Sequence, residues 1–203
     1  VRRILRIKFR SGLMHNPMAD RSLFEKVGGV EHRAIAREAV QKSLVLLKNN
    51  EMLPLAKDKN YLVCGSGADD IGKQCGGWTI DWQGKLGDIT PGTTIWEGIS
   101  NQASASLIVN GQTNDSFDGA IVVVGEDPYT EMEGDSDSLY LSEIDKQTIA
   151  NVQSLNIPYT VVLITGRPLI VSKEIEASDA FLVAWLPGTQ GDGVSDVLFG
   201  DVS

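Results

Sequence analysis

AIVVVGEDPYTEMEGDSDS, residues 120–138, joins an uninterrupted apolar run to a dense acidic loop, and this junction decides how the chain folds. Ile121 and Val122–Val124 are β-branched, with no polar residue alternating among them, which suits a strand buried on both faces. Runs of similar character recur at Tyr61–Cys64, Ser106–Val109, Tyr159–Ile164 and Ala180–Trp185. Helical stretches are expected between several of them, near Thr94–Gln102, Ser142–Leu155 and Gly191–Leu198. Strands alternating with helices in this way predict an α/β sandwich, a mostly parallel sheet covered by helices on both faces.

Upstream of these runs, Glu31–Lys48 reads as one amphipathic helix. Ile35, Ala36, Ala39, Val40, Ser43, Leu44 and Leu47 recur at three- and four-residue spacing, and Asn49-Asn50 ends the pattern. Before it, Val1–Leu13 reads as a basic amphipathic helix, and HNPMADRSLFEKVGG (15–29) as a linker. Residues 1–30 are therefore expected to be the tail of a preceding domain plus a linker, and residues 31–203 a second domain. The stretch Asp201-Val202-Ser203 follows directly on a helix and Gly200, so the second domain is expected to be truncated.

The chain has 203 residues, 42% of them hydrophobic, enough to bury a core without disulfide or metal staples. A net charge of −9 argues against a nucleic-acid partner, because a phosphate backbone needs a basic face. No apolar run is long enough to span a bilayer, and the cationic VRRILRIKFR start lacks the apolar stretch of a signal peptide. Cys64 and Cys75 are free to pair or to remain thiols. Asn114-Asp115-Ser116 is a glycosylation sequon, usable only in a secreted protein. His15 and His32 lie far from any Ser or Cys elbow, and neither Gly-x-Ser-x-Gly nor Cys-x-x-Cys occurs.

Open parallel sheets gather ligands in the loops beyond the carboxyl ends of their strands. Three loops qualify. The first, GSGADDIGKQCGGWTIDWQG (65–84), would need a glycine where Asp70 stands to cradle a nucleotide, and Asp69 and Asp70 would repel a pyrophosphate. Its Trp78 and Trp82, set among Gly, Asp and Gln, either cap the core or offer indole faces to a sugar ring. The second, after Val124, holds Glu126, Asp127, Glu131, Glu133, Asp135 and Asp137. Crowded carboxylates raise one another's pKa, so the loop can supply a protonated acid for glycoside hydrolysis. A solvated acidic turn and a calcium loop are the other two possibilities. The third loop, Leu186–Gly191, reads as a plain strand-to-helix turn.

These motifs share one source. HRAIAREAVQKSLVLLKNN, LPL, QCGGWTIDWQG, GTTIWEGI, GEDPYTEMEGD, ITGRPLIV and AWLPGTQGDGVSDVLFGD, in that order, resemble the plant β-D-glucan exohydrolases of glycoside hydrolase family 3. The resemblance implies a two-domain retaining enzyme without metal or organic cofactor. A (β/α)8-type barrel would carry the nucleophilic Asp, and an α/β sandwich would lend the acid/base Glu. By the PYTE context that residue is Glu131, while a Glu placed just before a Gly, as in some members, would be Glu133. Trp82 matches a tryptophan lining the glucosyl cleft, and Trp78 is its neighbour in the motif.

A β-glucan or β-glucoside substrate, an intramolecular barrel partner and secretion to the apoplast or cell wall follow as implications of the resemblance. So does the expectation that residues 1–203 alone are inactive. A β-xylosidase or arabinofuranosidase of the same family and a non-catalytic carbohydrate-binding module are the alternatives. The plant pattern often has two cysteines where this chain has SLNIPYT, and Cys64 replaces a small residue, which suggests a buried free thiol.

Overall fold

The computed structural model describes residues 1–202, which divide into two compact units with their boundary between Ile35 and Ala36. In the first unit, α1 (Arg2–Arg10) puts Ile4 and Ile7 one turn apart among arginines. A 3₁₀ turn at Arg21–Lys26, opened by the Asp20 carboxylate accepting from Ser22 N at 2.9 Å, lies within the stretch 15–29 read as a linker. The helix α2 (Val30–Ser43) runs across the boundary.

The second unit is built on one six-stranded sheet. Its strands are β1 (Val45–Asn49), β2 (Asn60–Cys64), β3 (Ser104–Leu107), β4 (Gly119–Gly125), β5 (Tyr159–Ile164) and β6 (Ala180–Trp185), in the order β1-β6-β5-β4-β2-β3. All neighbours are parallel except β1 and β6. The sheet is flanked by α2, α3 (Ile71–Cys75), α4 (Ile95–Ser100), α5 (Glu143–Ser154), α6 (Ser172–Ala177) and α7 (Gly191–Leu198). This is the expected α/β sandwich. Among the described residues no helix is long and apolar enough to cross a membrane.

Successive residues of a strand point to opposite faces, and the core divides accordingly. Val63, Ile121, Val123, Val162, Ile164 and Leu182 pack with Val40 of α2, Ile95 and Ile99 of α4, and Val194 and Leu198 of α7. Leu62, Val122, Val124, Val161, Leu163 and Phe181 pack instead with Ile149 and Val152 of α5. On the first face a polar hub joins α2 and α7 to the turn that follows α4. Arg37 Nε donates to Asp196 at 2.6 Å and Arg37 Nη1 to Asp192 at 2.8 Å, while Gln41 and Gln102 also donate to Asp196. Burial pushes the Asp196 carboxyl up, but the bonds from Arg37 and Gln41 outweigh it and hold the group below the usual carboxylate range.

The first helix of the second domain is shorter than expected. The helix predicted over Glu31–Lys48 stops at Ser43, and Val45–Asn49 forms the antiparallel edge strand β1. Its Val-Leu-Leu core suits either conformation, and the open edge of β6 decides between them, pairing Val45 with Val183 and Leu46 with Leu182. Lys48 Nζ then donates to the carbonyls of Ile175 and Glu176 at the end of α6, at 3.1 and 2.8 Å. The short helices α3 and α6 carry no periodic signature and are further additions to the expected set.

Chain connections leave β2 toward β3 on one side and proceed through β4, β5 and β6 on the other. The switch point therefore lies between β2 and β4, where the loops after these strands face each other, and ligands of open α/β sheets bind at such places.

Candidate functional site

The loop after β4 is folded around a single carboxylate. Glu126 Oε1 accepts from Arg167 Nε and Nη2 at 2.9 and 2.6 Å, and its Oε2 accepts from the Thr165 hydroxyl at 2.7 Å and the Tyr129 phenol at 3.1 Å. The guanidinium lies 4.4 Å from the centroid of the Tyr129 ring. Burial and the adjacent Glu126 charge push the Tyr129 phenol above its ordinary value, so it donates. The neighbouring Asp127 accepts from Lys73 Nζ at 2.7 Å, and that lysine is only 4% exposed.

Thr130 carries the loop onto the tryptophan segment. Its N–H donates to Gln83 Oε1 at 2.9 Å, and its hydroxyl is shared between Gln83 Oε1 at 2.9 Å and the Trp82 carbonyl at 3.1 Å. The backbones approach so closely at Gly77 that a Cβ there would lie 2.2 Å from Thr130 Cγ2 and 2.3 Å from the Tyr129 carbonyl. Only glycine fits. The seam between the loops encloses a cavity of about 40 Å³, bounded by Gly77, Tyr129, Thr165 and Leu186.

Past Thr130 the side chains turn outward. Glu131 opens a 3₁₀ turn, Glu131–Gly134, and is exposed with φ +46°. Trp78 and Ile80 also have left-handed backbone, both at φ +63°. Non-glycine residues adopt this region at a cost, and such positions concentrate where geometry serves a function. Trp78 is 67% and Trp82 50% exposed, with ring centroids 6.4 Å apart and planes at 50°. Neither caps the core. Trp78 N donates to the Trp82 carbonyl at 3.0 Å, which closes the segment into a compact turn.

The acidic loop is thus neither uniformly solvated nor a cage. Glu126 is spent on Arg167 and Asp127, though exposed, on the buried Lys73, whereas Glu131, Glu133, Asp135 and Asp137 face solvent. Among the described residues no three His, Cys, Asp or Glu side chains converge so as to hold a metal ion, so the calcium possibility has no ligand set. Asp69 and Asp70 have structural tasks. Asp69 accepts from the Thr94 hydroxyl at 2.8 Å, while Asp70 caps α3 by accepting from Lys73 N at 2.7 Å and also accepts from Gly87 N at 2.8 Å.

The third loop is tied to α3 by fully buried Gln74, whose amide donates to the Gly188 carbonyl at 2.8 Å and accepts from Ile95 N at 2.9 Å. Cys64 and Cys75 are both buried free thiols, and burial raises Cys64 to about 12. The structure brings Glu131 to the rim of the segment that carries Trp82 and Trp78, through Thr130. Sequence reasoning missed Arg167, Tyr129 and Thr130. Arg167 lies in the ITGRPLIV motif, but a single basic residue gives no hint that its partner is an acid forty-one positions earlier.

Residues 44–203 match the glycosyl hydrolase family 3 C-terminal domain. A lysosomal beta glucosidase of Dictyostelium discoideum is 30% identical, across the whole of this chain and 28% of its own length. Among solved structures, an exo-1,3/1,4-beta-glucanase from a Pseudoalteromonas species is 46% identical at a TM-score of 0.78, covering 84% of this chain and 23% of its own. A beta-glucosidase from Listeria innocua, in complex with isofagomine, is 28% identical at a TM-score of 0.86, covering 98% and 30%. The chain therefore spans less than a third of the length of these relatives.

Proposed function

The chain belongs to glycoside hydrolase family 3, and from that premise we propose that it is the second domain of a retaining, exo-acting β-glucosidase or β-D-glucan exohydrolase, with Glu131 as its acid/base. Hydrolysis with retention needs two carboxyl groups roughly 5–5.5 Å apart, one attacking the anomeric carbon and one handling the proton. The nucleophilic Asp would come from a barrel domain docked against the carboxyl edge of the sheet, with residues 1–30 as that domain's tail and the linker.

Glu131 first protonates the departing glycosidic oxygen. It then deprotonates the water that releases the sugar from the glycosyl-enzyme. Trp82, with Trp78 beside it, offers an indole face to the apolar C–H side of the leaving-group sugar. Residues 1–203, holding one carboxyl of the pair, would be inactive by themselves. Secretion belongs to the same proposal, and the exposed Asn114 would then be a glycan acceptor.

The observation that carries the assignment is the division of the acidic loop. Its half-buried Glu126 is neutralised by Arg167 and its exposed Asp127 by the buried Lys73, while Glu131 has left-handed backbone next to the tryptophan turn and, among the described residues, no such cation beside it. The test is Glu131→Ala in the full-length protein, assayed on an activated aryl β-glucoside with and without azide. An activated leaving group needs little protonation, so glycosylation is spared and deglycosylation stalls. Azide should restore turnover and yield β-glucosyl azide. Unchanged activity without azide would remove Glu131 from the mechanism and leave Glu133, the last acidic residue before Gly134, as the next carboxyl to substitute.

A further inference from the structure

We propose that Arg167 is the positioning residue of the acid/base carboxyl, holding the two ends of loop 126–134 together so that Glu131 stands in a fixed turn. The inference rests on the assignment of Glu131 above. Glu131 sits in a strained conformation on an exposed 3₁₀ turn, with no strand or long helix to hold it. Such a conformation persists only when its surroundings over-determine it.

Arg167 supplies that restraint at three points. At the start of the loop it forks onto Glu126 Oε1 at 2.9 and 2.6 Å. At the end, its Nη1 donates to the Gly134 carbonyl. Between them it stacks on Tyr129, 4.4 Å from the ring centroid. The Gly134 backbone presses on the same ring, since a Cβ there would come within 2.4 Å of Tyr129 Cδ2.

The guanidinium is itself anchored to the sheet. Arg167 lies three residues past the end of β5, and Thr165 holds its backbone, sharing its hydroxyl proton between Glu126 and the Arg167 carbonyl, 2.6 Å away, and accepting from Arg167 N at 3.2 Å. Displacement of the loop would therefore break the fork, the carbonyl bond and the stack together. A lysine offers a point charge without a planar fork and cannot satisfy all three partners. Arg167 acts through the loop and not on the substrate, so it is a positioning residue. Its loss should be felt in the step that needs a well-placed proton.

The experiment measures kcat/KM of the full-length protein for aryl β-glucosides ranging from phenyl, a poor leaving group, to 2,4-dinitrophenyl, an activated one. Arg167→Ala should lose about 100-fold on the phenyl glucoside, the scale of a misplaced catalytic group, and less than about threefold on the dinitrophenyl glucoside, whose departure needs little acid. Guanidinium ion at low millimolar concentration should restore part of the loss, whereas Arg167→Lys should remain impaired. Glu126→Gln, which keeps the side-chain shape, should show the same leaving-group dependence on a smaller scale, and it serves if the alanine variant does not fold. Equal losses on both substrates in step with the folded fraction would overturn the inference. If Glu131→Ala shows the leaving-group dependence and the Arg167 and Glu126 variants do not, the clamp is wrong and the acid/base assignment stands. If Glu131→Ala is also flat, the assignment fails and the clamp fails with it.

Discussion

Two arginine–carboxylate hubs serve this domain with the same chemistry and opposite purposes. Arg37 binds Asp196 and Asp192 on one face of the sheet and ties α2 to α7. Arg167 binds Glu126 and the Gly134 carbonyl beyond the carboxyl ends of the strands. Asp196 lies among helices packed on an apolar core, so the energy of its hub goes into the fold. Glu126 lies under an exposed loop, so the energy of its hub goes into where Glu131 stands. A strong ion pair therefore has no fixed meaning in such a domain. What it touches next decides whether its removal is read in stability or in rate.

The sharpest way to break the comparison is Asp196→Ala in this chain. Its side chain is 5% exposed, and the substitution leaves Arg37, Gln41 and Gln102 without their common acceptor. Arg37 is 39% exposed and water can reach it once its partner is gone, so the loss should be about 1–3 kcal/mol, measurable by urea unfolding. The same carboxyl sets an acid limb. Its folded value lies below its unfolded one, so its contribution is complete above the unfolded value and is lost as pH falls through the folded value. Asp196→Asn should therefore flatten the decline in stability at acid pH. An unfolding midpoint unchanged in both variants would show that the hub is dispensable.

A comparable effect is expected at the seam. Gly77→Ala would drive a methyl into Thr130 and the Tyr129 carbonyl, and the latter is backbone that cannot step aside. The loops must part, at about 1–3 kcal/mol, and Glu131 should move with Thr130. Loss of aryl glucosidase rate beyond the loss of folded protein would place the seam with Arg167 on the side of positioning. Loss of stability alone would place it with Arg37.

Much of this was legible in the sequence, and the limits have physical causes. Buried strands announced themselves because Ile121–Val124 and Val161–Ile164 are apolar on both faces, a pattern that only a covered sheet requires. The strand β1 was hidden because Val45-Leu46-Leu47 continues the helical spacing of α2, and pairing with β6 is a non-local fact. At the site, Trp78 and Trp82 stand out by residue type and Glu131 only through the resemblance of its PYTE context, whereas the split among the acids does not show. Glu126 and Glu131 are indistinguishable as letters, and only the fold brings Arg167 to one of them.

The smallest effect sharpens the comparison from outside both hubs. Trp82 is half exposed and its ring supports nothing in the core, so Trp82→Ala should leave the unfolding midpoint nearly unchanged. Its segment is held by backbone, through the Trp82 carbonyl accepting from Trp78 N and the Thr130 hydroxyl, and a side-chain truncation keeps both bonds. What is lost is stacking, worth roughly 0.5–1.5 kcal/mol, or about a two- to tenfold rise in KM. On the proposed function the rise should appear with laminaribiose, whose leaving group is a sugar ring, and not with methyl β-glucoside, whose leaving group offers nothing to stack. Equal rises on both substrates would mean that the indole shapes the loop and not the sugar site, and Trp82 would then join Arg167 among the residues that act on Glu131 from behind.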